Sequence, residues 1–234
     1  MKKWILVCCI SMLFISGLWA FEVGGGISVF VPESLYLHKQ GSVSVETNLE
    51  YSFGIGKVIR FPIGITYMKV TGLMTYGEGA ENTNKPWFVS DALIPKIGLL
   101  IHIPISVLYL EVFGGGAGFW NFYQQPLVGN IEQYFAGTLG KEVAFSNPGF
   151  TRKFGVGYLF GGAIGLKLQK ISIDVSCTYM RLTAPLTMSG TLYTIEPISS
   201  DTGNTTAVKS PYSNDKLKLV LSGLSFSIGG KFAF

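Results

Sequence analysis

The chain has 234 residues, a formal net charge of +4, only 14% charged residues, and 30 glycines. A soluble globular domain carries about 25% charged residues, so this composition argues against a soluble sandwich or lipocalin-type barrel. The length suits one domain, and the near balance of charge speaks against a nucleic-acid partner.

Residues 1–20 read as a secretory signal. Lys2 and Lys3 form its basic end, residues 5–18 its apolar core, and Ala20 a small residue at the cut. Leu18 is looser than the usual small residue two places earlier. The expected domains are therefore a signal peptide at 1–20 and one barrel at 21–234. Without Lys2 and Lys3, sixteen basic side chains stand against fourteen acidic ones. Cys8 and Cys9 leave with the signal and are poorly placed for lipidation. Cys177 alone remains, so no disulfide, zinc site or other metal or cofactor is expected.

After the signal no run of eighteen apolar residues occurs. A closed β-barrel is the other way to cross a bilayer, because it satisfies every backbone group internally. Eight stretches of alternating character fit that reading. The first, 21–31, puts Phe21, Val23, Ile27 and Val29 on one face and Glu22, Ser28 and Phe30 on the other. The second, 43–53, alternates Val45, Thr47, Leu49 and Tyr51 with Ser44, Glu46, Asn48 and Glu50. A turn at Gly56-Lys57 leads to the third, with Ile59, Phe61, Ile63, Ile65 and Tyr67 outward and Arg60, Thr66 and Met68 inward. Pro62 lacks an N–H and weakens one ladder position there.

The fourth stretch, 93–103, has Ile97, Leu99 and Ile101 opposite Lys96 and His102. A turn near 104–106 follows. The fifth, 108–122, holds Glu111 and Gly114-Gly115-Gly116-Ala117-Gly118. The sixth, 154–168, sets Val156, Tyr158 and Phe160 against glycines and Lys167. A short link at Gln169-Lys170 precedes the seventh, with Ile171, Ile173 and Val175 outward and Ser172 and Asp174 inward. The eighth, 216–234, ends in Leu224, Phe226, Ile228, Phe232 and Phe234 outward, with Ser225, Ser227 and Lys231 inward. Its phase slips near residues 220–222, which predicts a bulge.

The predicted fold is thus an all-β, antiparallel, up-and-down transmembrane barrel of eight strands. Short links follow the even stretches and long polar ones the odd stretches, at 71–92, 121–153 and 184–215. Short periplasmic turns and long external loops are the outer-membrane pattern, so the expected location is the outer membrane of a diderm bacterium.

Eight strands leave an interior just wide enough for side chains, which excludes a wide porin. The inward residues divide along the axis. Glu22, Glu50, Arg60, His102, Glu111, Lys167, Asp174 and Lys231 lie toward the periplasmic end. Unpaired charges in so dry a space are costly, so they predict a salt-bridged plug, structural in its simplest reading. Phe30, Met68, Ile94, Phe119, Leu159 and Met180 lie toward the outside. They predict ordinary packing or an apolar gallery open to the exterior, from which a greasy ligand would leave sideways into the bilayer. Glu46, near this height, departs from the pattern.

Enzyme readings find little support. His38 and His102 are the only histidines, and neither has a serine at the spacing of lipid A deacylases. Gly114–Gly118 lacks the Lys-Ser/Thr and helix of a phosphate loop. No enzymatic activity is expected.

Residues 91–122, ending in Gly118-Phe119-Trp120-Asn121-Phe122, resemble a segment of the OmpW/OprG family of small outer-membrane barrels. Residues 157–182, with Thr178-Tyr179-Met180, are similar to that family's next hairpin, and Leu224-Ser225-Phe226-Ser227-Ile228-Gly229-Gly230-Lys231-Phe232-Ala233-Phe234 to its closing strand. Residues 21–60 match less well, and the segment 184–215 is longer than the family's. The resemblance implies eight strands, a hydrophobic channel and lateral diffusion of small apolar molecules. Phe234 also resembles the signal read by the barrel-assembly machinery. The expected partners are membrane lipid, small hydrophobic ligands and that machinery. The competing expectation is an adhesin-type scaffold whose loops meet host surface molecules.

Overall fold

The computed structural model describes residues 19–33, 44–55, 58–72, 74–75, 87–151, 154–197 and 205–234. Its strands are β1 (Trp19–Pro32), β2 (Ser44–Ile55), β3 (Ile59–Gly72), β4 (Met74–Thr75), β5 (Phe88–Ile105), β6 (Leu108–Pro126), β7 (Val143–Thr151), β8 (Gly155–Leu168), β9 (Ile171–Pro197) and β10 (Thr205–Ala233). The helix α1 (Val128–Leu139) lies between β6 and β7. Antiparallel pairing runs β1-β2-β3-β5-β6-β8-β9-β10, and β10 closes on β1 from Glu22↔Ala233 to Pro32↔Gly223. The result is a ring of eight strands.

The period of two sorts every wall strand. Ile27, Val45, Leu49, Ile97, Val112, Ile164, Val175 and Ile228 point away from the lumen and are exposed, Ile27 and Ile228 by 64% and 65%. Aliphatic side chains in a continuous band around a barrel would be a liability in water and are what lipid requires. Aromatic rings border the band. Phe21, Tyr51, Phe53 and Phe61 form a run of contacts with centroids 5.5–6.4 Å apart near the short turns. Tyr67, Phe122 and Trp120 form another near the long connections, at 6.3 Å per pair. No described helix is long and apolar enough to span a bilayer.

The β5–β6 turn is Ser106-Val107 and the β8–β9 turn is Gln169-Lys170. Ser106 and Gln169 take φ of 60° and 58°, the left-handed conformation that matches a two-residue turn to the twist of its strands. The turn expected at Gly56-Lys57 lies outside the described residues, as do residues 1–18 of the expected signal. β1 begins at Trp19, so cleavage after Ala20 would trim its first two pairs with β2.

The long connections depart from expectation. Residues 184–215 are largely strand. β9 and β10 continue beyond the belt as a paired arm, with a register shift between Asn214 and Leu217. Leu182, Ala184, Leu186 and Met188 alternate inward along β9, as do Leu217, Leu219 and Leu221 along β10. The apparent phase slip near 220–222 is therefore no bulge: Val220, Leu221 and Ser222 pair regularly with Thr183, Leu182 and Arg181. The interior turns apolar at this height, so both faces of β10 carry aliphatic residues. Residues 121–153 likewise hold α1 and β7, and β7 extends the arm by pairing with β9 from Val143↔Thr194 to Thr151↔Thr187. Ile131 and Phe135, one helical turn apart, anchor α1 in the core, and Gly140 ends it at φ 64° with its N–H donated to the Ala136 carbonyl.

Candidate functional site: the barrel lumen

Three layers fill the lumen, stacked because inward positions at equal height come from all eight strands.

The lowest layer is ionic. Arg60 of β3 pairs with Glu22 of β1 and stands 3.8 Å from Glu111 of β6. Glu111 is the hub. It takes Lys231 Nζ at 2.5 Å on one oxygen and His102 Nδ1 at 3.0 Å on the other. Lys231 also reaches Asp174 at 3.5 Å, and Asp174 accepts the Tyr109 hydroxyl at 3.1 Å. The Tyr109 ring packs against the His102 ring, tilted by 32° with centroids 4.9 Å apart. Gly165 makes its position attainable, because a Cβ there would lie 2.2 Å from the Tyr109 ring. With carboxylates and cations alternating, no member is left as an isolated buried charge.

One residue expected in this layer lies elsewhere, and one borders it without an ion pair. Lys167 has the inward parity, but it sits at the rim beside the Gln169-Lys170 turn, exposed, and joins no ion pair among the described residues. Glu50 stands opposite Gly24, as Lys231 does from the other side, and borders the same cavity as Lys231, Glu111 and Asp174 without a direct ion pair. Tyr109 belongs to the layer and is missing from the expected set, although its position two residues before Glu111 gives it the same parity.

The middle layer is polar and incompletely filled. Glu46 is 2% exposed and its Oε2 accepts the Ser28 and Ser225 hydroxyls, both at 2.7 Å. Asn48 donates to Ser28 Oγ at 2.7 Å, and its carbonyl accepts Thr66 at 2.5 Å and Lys96 Nζ at 3.4 Å. A cavity of about 120 Å³ opens here, bordered by Glu46, Asn48, Glu50 and Lys96, with Lys231 below and Leu159 and Met180 above. The departure anticipated at Glu46 is thus a layer of its own.

The upper layer is apolar and closed. Phe30, Met68, Ile94, Phe119, Leu159 and Met180 are all buried and belong to one cluster. Only Leu159 and Met180 border the cavity. Among the described residues no open mouth appears: Trp87, Phe88, Ile131, Phe135, Phe145 and Met188 continue the cluster outward. α1 and β7 roof it, with Phe135 stacked on Phe145 at 5.7 Å and Glu132 accepting the Phe145 N–H at 2.8 Å.

Beside this layer the wall is interrupted. The β5–β6 ladder pairs Leu93 with Trp120 and Lys96 with Ala117, but Ile94-Pro95 and Gly118-Phe119 between them do not pair. Pro95 has no N–H to give. Outside, the Phe154 ring covers the gap, so close to Gly118 that a Cβ there would come within 2.3 Å of it and within 3.1 Å of Pro95 Cγ. A second unpaired stretch, Phe61-Pro62 against Gly98-Leu99, lies nearer the ionic layer.

Phe234 is exposed at the closing seam, its N–H donated to the Phe21 carbonyl at 3.1 Å. Among the described residues no group of three His, Cys, Asp or Glu side chains is placed to share a metal ion.

The fold is similar to that of a major outer membrane protein from Thermus thermophilus, 11% identical, covering 92% of this chain and 99% of that one with a TM-score of 0.52. OprG from Pseudomonas aeruginosa is 11% identical over 92% and 95% of the two chains, with a TM-score of 0.48. Neisserial surface protein A is 9% identical over 92% and 97%, with a TM-score of 0.45. No family model matches the chain, and no curated protein matches its sequence. The fold is that of an eight-stranded outer-membrane β-barrel.

Proposed function

We propose that this outer-membrane barrel conducts small hydrophobic molecules passively from the cell exterior into the bilayer. The apolar upper layer would receive them beneath the α1 roof, the ionic layer would block passage to the periplasm, and the β5–β6 wall would release them sideways. One observation carries this reading: Ile94 and Phe119, buried in the apolar layer, occupy the unpaired stretch of wall at that height. An unpaired rung has no ladder hydrogen bonds to break when a ligand passes. The proposal assigns no catalytic step.

Met68→Arg and Phe119→Arg each place a charge in the upper layer. Uptake of an apolar fluorescent tracer by cells carrying the folded variants is expected to fall, and unchanged uptake overturns the proposal. The ordered arm of β7, β9 and β10 supports a second reading, a scaffold presenting that arm to host surface molecules. Loss of matrix binding on deleting the arm, with uptake intact, would favour it. Docking of Phe234 to the barrel-assembly machinery belongs to either reading.

A further inference from the structure

Among the described residues the upper layer is closed, so uptake needs a part of the closure that gives way. The strands of the arm are held by ladders, β9 to β10 and β7 to β9. α1 has no ladder. It meets the strands through Ile131 and Phe135 in the core, through Glu132 on the Phe145 N–H, and through the Leu127 N–H on the Trp87 carbonyl. Its own turns have little support. Twelve residues are few for a helix to hold by itself. Leu127 at the N-cap has no side-chain oxygen to take the first free N–H groups, and no cap hydrogen bond replaces it. The first turn carries no acid and the last no base, so neither end answers the helix dipole.

Two glycines weaken it further. Gly129 and Gly137 are both exposed on α1. Glycine in a helix is costly because it gives up the most backbone freedom on ordering. Elsewhere in the fold a glycine is forced. A Cβ on Gly157 would stand 1.9 Å from the Arg181 carbonyl oxygen, and Gly140 takes the left-handed φ of 64°. At Gly129 and Gly137 a Cβ would meet nothing within 4 Å, and neither has a positive φ. Neither packing nor backbone geometry asks for glycine at these two places. Their effect is to lower the stability of the helix that carries them.

We propose that α1 is a lid that admits ligand by unwinding, and that Gly129 and Gly137 set how often it opens. The proposal rests on the uptake reading above and supplies its entry step. Unwinding would withdraw Ile131 and Phe135 from the cluster and uncover Trp87 and Phe145, which Phe135 meets at 6.0 and 5.7 Å. The ring of eight strands would stay paired throughout. Segments that move in this way are drawn from the least stable parts of a fold.

The test pairs two measurements on the full chain. Hydrogen exchange over residues 128–139 is followed by mass spectrometry on the barrel in lipid vesicles, and entry of an apolar fluorescent tracer is followed in cells. Alanine at both glycines adds no contact with the rest of the fold, so Gly129→Ala/Gly137→Ala acts on the helix alone. The double variant is expected to slow α1 exchange and tracer entry together, by about five- to thirtyfold, with exchange of the strands unchanged. Should it fail to assemble, Gly137→Ala alone is expected to slow both by about two- to fivefold. Slower α1 exchange with entry at its original rate overturns the lid and leaves the uptake reading standing. Exchange of α1 no slower in the variant overturns the role given to the glycines. A barrel that carries no tracer in either form overturns the uptake reading, and the lid with it.

Discussion

Ile94 and Phe119, both buried in the apolar layer, are matched across the β5–β6 seam by the register of the flanking pairs Leu93↔Trp120 and Lys96↔Ala117, at a stretch where that seam carries no ladder pairing. Those flanking pairs hold the two strands at ladder spacing on either side of the gap, where opposed Cα atoms lie about 4.5–5.5 Å apart, near the range a disulfide spans. With Cys177 replaced by Ser to remove the native thiol, the double variant Ile94→Cys/Phe119→Cys should therefore oxidise to a staple across the gap. If the gap is the exit, oxidation should stop transfer of an apolar tracer and reduction should restore it, with the folded gel mobility unchanged throughout. Transfer that ignores the redox state would place the exit elsewhere.

The ionic layer makes a prediction about stability. Glu111 faces His102 and Lys231 directly and Arg60 at longer range. Removing one partner of a buried ionic network leaves the others uncompensated, at a cost of about 3–5 kcal/mol. Glu111→Gln should lower stability by that order in urea unfolding from lipid vesicles. Lys167→Gln, at the rim, should change it by less than about 0.5 kcal/mol. Equal effects at the two positions would mean that the network is not the stabilising unit.

The wall was legible in the sequence because alternation is a local property: each of the eight stretches carries its own inside and outside, and Glu22, Arg60, His102, Glu111, Asp174 and Lys231 followed from parity alone. What parity could not supply was height and closure. Lys167 has the right parity but lies one residue from the end of β8, where the lumen has already opened. Glu50 is level with Lys231, both standing opposite Gly24, yet makes no direct ion pair, because which carboxylate a cation reaches depends on side chains from several strands rather than on parity within one. The extension of β9 and β10 was obscured for a further reason. Above the belt the outer face becomes polar and the inner face apolar, so Leu186, Met188, Leu217 and Leu219 invert the pattern that marks a membrane strand. α1 did leave a trace, in Val128, Ile131 and Phe135 at helical spacing with Gly140 as a stop, inside a segment whose polar residues suggested a loop.

The outward belt can be tested with a single charge. Ile164 is 61% exposed, in the outward set of β8 between Leu166 and Gly162. On a soluble surface, Arg at so exposed a site would be nearly neutral. Against lipid near the bilayer midplane it costs about 2–4 kcal/mol, declining toward the interfaces. Ile164→Arg should thus depress folding into vesicles by that order, and Ile105→Arg, beside the Ser106 turn, much less. A flat response along the axis would deny the belt its lipid.

The roof yields the last prediction. Phe135 is 7% exposed and meets Phe145 and Tyr212 at 5.7 and 5.0 Å, so it joins α1 to both β7 and the β10 arm. Truncating a buried Phe costs about 3–5 kcal/mol in a well-packed core, and here that loss falls on a segment outside the ring. Phe135→Ala should therefore loosen α1 without unfolding the barrel. The expected result is faster proteolysis within residues 127–142, unchanged heat stability of the strands, and faster entry of an apolar tracer, because the roof is what closes the upper layer. If the roof were instead a fixed part of the wall, the same substitution would lower the unfolding midpoint of the whole barrel and leave entry no faster.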